Sequence, residues 1–521
     1  MLRLYAHHFL VRLTRPKKLI HSTTFFFCNQ NYLPKKMSAL TVDFLTLQPV
    51  PSNGDSMVPC ALKLIAPAST QRIPTHFILL LDISESMVDG RKLENCKRCA
   101  ELMLNFMAAD DRISLITFGE DAQLHLKRVP ADEAHKSSIE STIKGLRVNG
   151  CTNLSAGLGY VREVCEGPSD QKAGLLILTD GHANRGVSGT PELRRIIIGL
   201  RESFSNLSIH CVAYGADHNE NLMRGIAEDN HGSYNVVNSI EDTAVAFGET
   251  LGGLLSCAFQ NVVIELPTGS IVKGPQKTTV VDDHLKVRIG DVYSGTKPLV
   301  LFDMPSVACR LVEAVKIKGM RLPTLETFSI TPIQQMLAER DKEIEVTQLR
   351  YDCVAILEAI RALRRPTDDL VTDMETKITA FETKVRDSFF DGHAVAGLLR
   401  TEVTTMRDLL RDVRTGHYSH YHDVTTAQRV TSLGLARGFC SPSASAPAPP
   451  RRAYRAVAPA LGRAATGAGT GTPDASDDED DEPCTYRMNN NTVAAPDITV
   501  FHNEMQTQIA ALMRTASSQH Q

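Results

Sequence analysis

Asp82, Ser84 and Ser86 stand two residues apart where an apolar run, Phe77 to Leu81, comes to its end. A carboxylate and two hydroxyls at one strand terminus are oxygen donors of the kind that suit a hard cation such as Mg²⁺. Alternation of side chains holds only while a chain stays extended. Where the strand ends and turns, the three groups can converge on one point. Two other stretches carry matching groups. Gly150-Cys151-Thr152-Asn153-Leu154 opens a helical segment with a threonine, and LILTDG ends another apolar run in Asp180-Gly181. Asp82, Ser84, Ser86, Thr152 and Asp180 therefore form a candidate set for one Mg²⁺ or Mn²⁺. A competing account is that these residues only cap helices and turns. Under it, Asn153 or Thr152 would cap the helix expected at 154–166.

Such convergence requires strands that all end at one edge. Near-continuous apolar runs at 77–83, 112–119, 174–181, 208–215 and, more weakly, 233–237 alternate with amphipathic stretches. These stretches lie near 92–107, 132–147, 154–166, 190–203, 219–230 and 240–255. That pattern predicts an α/β fold: a doubly wound, mostly parallel, Rossmann-like sheet covered on both faces. AQLHLKRV at 122–129 alternates by two and fits a half-exposed antiparallel edge strand. Sheets of this class bind ligands beyond the carboxyl ends of their strands, where the three donor loops would lie.

With its DxSxS run, its later threonine and its LTDG strand end, the segment from about 77 to 256 resembles the von Willebrand factor type A domain. The five donors resemble that family's metal-ion-dependent adhesion site. The resemblance implies that Ser84, Ser86 and Thr152 touch the metal, and that Asp82 and Asp180 act directly or through water. Cys151 departs from the pattern, since a glycine is common there. Neutral hydroxyls would leave the cation partly uncompensated, and Mg²⁺ keeps water ligands. A carboxylate from another protein could replace one of those waters. No nucleophile and base stand beside the donors, so the expected function is non-enzymatic, metal-dependent protein binding through a partner's Asp or Glu.

The flanks follow a different pattern. Residues 37–70 and 257–330 hold short strands punctuated by Pro and Gly, as in a β-sandwich that shares strands across the intervening 71–256 unit. Residues 331–439 change to helical period, with apolar faces at Leu349 to Leu363, Leu370 to Phe389 and Val395 to Val413. The region 440–496, Pro/Ala/Ser-rich and then densely acidic, has the composition of a disordered linker. A short helix with Phe501, Met505, Ile509 and Leu512 on one face is expected within 497–521. Residues 1–36 are basic and acid-free. They suit a disordered leader before Met37, or a mitochondrial transit peptide. The flanks also resemble, more loosely, intracellular proteins in which a type A domain precedes a β-sandwich and a helical tail.

The chain has 521 residues, formal net charge −4 and twelve scattered cysteines. The charge favours neither nucleic acid nor an anionic membrane surface. No run reaches the roughly 20 apolar residues of a membrane span. Cysteines inside apolar segments fit reduced thiols and a cytoplasmic location. Cys96-Lys97-Arg98-Cys99 lies within a helical pattern, and GHYSHYHD, with His417, His420, His422 and Asp423, is expected to be a polar loop rather than a transition-metal site. Two other functions stay open: a substrate-recruiting subunit of a ubiquitin-ligase, protease or ATPase complex, and a secreted or cell-surface adhesion protein. The sequence leaves the oligomeric state open.

Overall fold

The structure, a computed structural model, describes residues 39–52, 56–68, 72–166, 171–180, 182–215, 218–230, 232–237, 240–311, 314–363, 366–388, 394–434 and 504–518. The basic leader 1–36, the acidic linker 440–496 and Phe501 lie outside them.

The first half of the chain runs β1 (Thr41–Thr46), β2 (Met57–Ile65), β3 (Thr75–Asp82), α1 (Lys92–Leu104), β4 (Arg112–Phe118) and β5 (Ala122–Pro130). It continues α2 (Glu133–Gly145), α3 (Leu154–Cys165), β6 (Lys172–Thr179), α4 (Thr190–Ser203), β7 (Leu207–Tyr214), α5 (Glu220–Asp229), β8 (Tyr234–Val237) and α6 (Ile240–Ser256). Among the described residues, the strands from β3 to β8 form one sheet in the order β5-β4-β3-β6-β7-β8, parallel except for the edge strand β5. Every residue of β3, β6 and β7 is buried, which is why these strands show no polar alternation. Alternate side chains of β3 divide between the two faces. Phe77, Leu79 and Leu81 pack with α1, α2 and α6, whereas Ile78 and Leu80 pack with α3, α4 and α5. The chain is thus an α/β fold with a doubly wound sheet, and the carboxyl ends of β3, β4, β6, β7 and β8 share one edge.

The chain then runs β9 (Cys257–Pro267), β10 (Ile271–Val272), β11 (Thr278–Val281), β12 (His284–Tyr293), β13 (Leu299–Pro305), α7 (Ser306–Cys309), β14 (Lys316–Arg321), β15 (Glu326–Ile330) and β16 (Gln334–Met336). Two more sheets result, β10-β13-β2-β1-β16 and β11-β12-β9-β14-β15. Strand β2, from before the α/β unit, pairs antiparallel with β13, from after it, with Leu62 opposite Val300 and Cys60 opposite Phe302. One core holds Phe44 and Leu62 from the early strands together with Phe259, Ile264 and Phe302 from the late ones. A Lys172–Asp291 ion pair, sealed at 0% and 2% side-chain exposure, ties β6 of the α/β unit to β12.

Among the described residues four helices follow: α8 (Lys342–Ala362), α9 (Asp368–Asp387), α10 (Ala394–Thr415) and α11 (His420–Gly434). The last of them corrects the second half of the loop expected at GHYSHYHD, since residues 416–419 stay outside a helix and His420 begins one. Val424, Ala427, Val430 and Leu433 recur every third residue and are all buried, so this segment has an apolar helical face to pack. Val424 reaches the α/β core, and Arg224 of α5 donates to Glu358 Oε1 of α8 at 2.6 Å. Leu370 is 48% exposed and belongs to no core face. The final helix, α12 (Glu504–Ser518), packs along α6 and α1. It buries Ile509 and Met513 rather than Leu512, which is 49% exposed. The reason is the backbone contact with α6. A Cβ added at Gly248 or Gly252 would lie 2.5 Å from the Cα of Ala510 or Gln506, so α12 presents its 506/509/510/513 face. Among the described residues, no helix is long and apolar enough to cross a membrane.

Candidate functional site

Strand β3 ends on Asp82, fully buried beside β4 and β6. Its Oδ1 accepts the backbone N–H of Ser84 at 2.8 Å, and its Oδ2 accepts the Thr179 hydroxyl at 2.5 Å. The carboxylate therefore holds the turn that leaves β3 and ties it to the end of β6. Ser84 Oγ lies 3.2 Å from Ser86 Oγ, and Ser86 Oγ donates to Asp180 Oδ1 at 2.7 Å. Asp82, Ser84, Ser86 and Asp180 thus form one continuous hydrogen-bonded chain. Ser84 and Asp180 are buried while Ser86 is exposed, so the chain opens to solvent on one side.

Thr152 arrives on the third loop, which backbone bonds hold against the first. Asn149 N–H donates to Ile83 O at 2.6 Å, Glu85 N–H to Gly150 O at 3.0 Å, and Asn153 N–H to Gly119 O at 3.0 Å. Asn184, just past Asp180, accepts the Thr152 N–H on its side-chain oxygen at 2.8 Å and returns its own N–H to Thr152 O at 3.1 Å. The capping account covers only part of this. Asn153 is the cap of α3, accepting from Ala156 N–H at 3.2 Å. Ser84 stands at the start of the short 3₁₀ segment Glu85–Arg91 without a side-chain capping bond.

Three participants escape a reading of the sequence: Thr179, Asn184 and Lys92. Lys92 forms an ion pair with Asp180 Oδ2, and its ammonium donates to Ser86 O at 3.3 Å. From the sequence it is one more charge at a helix start. Thr179 immediately precedes Asp180, so its neighbour's role was the available signal. Asn184 had none.

Burial raises the pKa of Asp82 to about 6, against the hydrogen bonds from Thr179 and Ser84, and the nearby Asp180 raises it further. A cation near such a carboxylate would favour its charged form. The donors fit a hard ion: three hydroxyls, two carboxylates, no nitrogen or sulfur. Octahedral Mg²⁺ with bonds of about 2.1 Å sets neighbouring oxygens about 3.0 Å apart. The observed separations of 3.2 Å and 2.7 Å lie on either side of that value.

Residues 77–182 match the family model of the von Willebrand factor type A domain. This part of the chain is a von Willebrand factor type A domain. The solved structure described as von Willebrand factor type A from Catenulispora acidiphila aligns with TM-score 0.52 at 14% identity, over 71% of this chain and 92% of that one. At that identity the likeness concerns the fold alone. The chain is 25% identical over 320 residues to E3 ubiquitin-protein ligase WAV3 of Arabidopsis thaliana, covering 58% of this chain and 39% of that protein. It is 26% identical over 230 residues to human inter-alpha-trypsin inhibitor heavy chain H3, covering 42% of this chain and 25% of that protein. This chain therefore spans only about a quarter to two fifths of the length of these relatives.

Beyond the three loops, the type A domain buries the CxxC pair. Cys96 and Cys99 are both 0% exposed in α1, and Cys96 Sγ lies 3.2 Å from the Tyr214 hydroxyl. His422 stacks on Tyr418 with ring centroids 5.3 Å apart and meets Ser419 Oγ at 2.9 Å. Those contacts belong to the start of α11. Among the described residues, no three His, Cys, Asp or Glu side chains gather as a metal-binding group. A set built mainly on hydroxyls, such as the one at the sheet edge, falls outside that description.

Proposed function

We propose that the type A domain is a non-enzymatic protein-binding module. In this reading Asp82, Ser84, Ser86, Thr152 and Asp180 hold one Mg²⁺ or Mn²⁺, and a partner supplies an Asp or Glu carboxylate. When bound, the ion would provide an electrophilic site for that carboxylate. The supporting observation is the hydrogen-bonded chain from Asp82 through Ser84 and Ser86 to Asp180, which opens to solvent at the exposed Ser86. The protein's own residues set the rest. Asp82 is committed to Thr179 and Ser84, so it orients the serine loop. Asn184 fixes the threonine loop.

Titration calorimetry with Mg²⁺ and Mn²⁺ tests the reading, using wild type and the Ser84→Ala/Ser86→Ala double variant. Wild type should bind one ion. The variant should lose binding while keeping its melting temperature within a few degrees, since both hydroxyls sit at the sheet rim. Partner capture should be lost equally in the variant and in EDTA. Undiminished capture by the variant in EDTA would sink the metal bridge.

A second reading places the chain in a ubiquitin-ligase complex as the part that recruits substrate. It is favoured by the relative named as an E3 ubiquitin-protein ligase, which aligns with 58% of this chain. A cytoplasmic location goes with either reading, supported by the nine described cysteines, eight of them buried.

A further inference from the structure

We infer that Lys92 is a built-in competitor for the metal site, an ammonium that must leave Asp180 before a divalent ion can use that carboxylate. The inference rests on the metal-binding reading and adds to it a residue that sets the affinity.

Lys92 is the first residue of α1. The chain reaches it through two left-handed residues, Gly90 at φ 58° and Arg91 at φ 59°. This turn brings the start of the helix beneath the DxSxS loop. The ammonium pairs with one oxygen of Asp180, and Ser86 Oγ donates to the other at 2.7 Å. It also donates to the backbone oxygen of Ser86 at 3.3 Å. Lys92 therefore holds the same carboxylate and the same serine that the cation would use. The helix gives it no reason to be there, because the amino end of a helix disfavours a positive charge. Asp180 is what holds it.

The Asp180 side chain is 0% exposed, and that of Lys92 is 25% exposed. The carboxylate has no alternative in solvent, whereas the ammonium has one: its flexible stem lets it swing outward into water. A divalent ion and an ammonium on one carboxylate repel each other, so occupation by the first favours release of the second. The buried negative charge stays compensated in both states. The type A domain would then be stable without metal and would bind it only where the free ion is abundant enough to displace the lysine.

The test compares metal binding by the full chain in wild type, Lys92→Met and Lys92→Arg, with titration calorimetry using Mg²⁺ and Mn²⁺ and with melting curves in EDTA and in Mg²⁺. Lys92→Met keeps the stem and removes the charge. It should bind Mg²⁺ about tenfold more tightly or better, the scale of one charge-assisted contact removed from competition. Its melting temperature should fall in EDTA and recover in Mg²⁺ by more than wild type gains. Lys92→Arg keeps the charge and should stay near wild type. If wild type binds the ion and Lys92→Met binds it equally or more weakly, the competition is overturned and the metal reading stands. If neither chain binds either ion, both fall together. Should Lys92→Met fail to fold, Lys92→Gln carries the same comparison.

Discussion

Strand β6 has a lysine–aspartate pair at each end. At its amino end Lys172 meets Asp291 of β12, with both side chains sealed between the α/β unit and the sandwich at 0% and 2% exposure. Just past its carboxyl end Asp180 meets Lys92, whose side chain is 25% exposed. Strand β3 is sealed at both ends: His76 is buried against Ser114 near its amino end, and Asp82 is buried beside Ser84 and Thr179 at its carboxyl end. In β6 the chemistry is the same at both ends, and solvent access separates a fixed joint from an exchangeable site. A buried pair loses heavily when one partner is removed, because the other charge is stranded. A pair with one partner near water can trade that partner for another cation.

The largest effect should come from the sealed end. Lys172→Met removes the ammonium that pairs with buried Asp291 and should cost about 3–5 kcal/mol in urea unfolding. Replacing both partners with apolar residues of similar size should recover most of that loss. A small cost for the single change would mean that water reaches this joint, and the contrast between the ends would collapse.

Acid provides the next test. Burial, aided by the charges of Arg128 and Arg112, lowers the His76 pKa from 6.5 to about 3. Between those values the unfolded chain holds a proton that the native state does not. Stability from this group is therefore intact above pH 6.5 and lost as the pH falls toward 3. The loss should reach about 2 kcal/mol by pH 5, at 1.36 kcal/mol per pH unit. Asp82, with its raised pKa, works in the opposite direction, so the informative quantity is wild type minus His76→Gln across pH 7 to 5. Parallel curves for the two proteins would rule out His76 as the source.

The smallest effect belongs to the open end. In EDTA, Lys92→Met leaves buried Asp180 with the Ser86 hydroxyl as a remaining donor, so the cost should be smaller than that of Lys172→Met. A loss as large as that of Lys172→Met would mean that the lysine is as fixed as its sealed counterpart.

The strands of the α/β sheet were legible because each holds a near-continuous apolar run with no polar alternation, and the edge strand β5 because it alternates. The three donor loops were legible as the ends of apolar runs or the start of a helix. The division of labour inside the site was not. A sequence shows that Asp82 has two oxygens, but not that Thr179 and the Ser84 amide take them. Lys92 drew no reading beyond the start of a helix because its partner lies 88 residues away. Lys172 lies just before the 174–181 run and drew no reading, since its partner Asp291 belongs to another sheet. The helix at His420 was missed because two tyrosines and three histidines drew attention to its polar start and away from the buried positions beyond it. Leu512 was placed inward because helical period alone leaves the face uncertain by one residue. The glycines of α6, which admit the backbone of α12, decide for Met513.

That last contact also has a consequence in time. Helix α6 ends at Ser256 and α12 starts at Glu504, about 250 residues later. At roughly 5–20 residues per second, a ribosome needs about 12–50 s to make the intervening chain. Throughout that interval the α/β unit has its sheet but not the cover over Gly248, Leu251 and Gly252. The domain that begins to form early is sealed only when α12 emerges, and until then the nascent chain carries an apolar seam along α6 for a chaperone to shield.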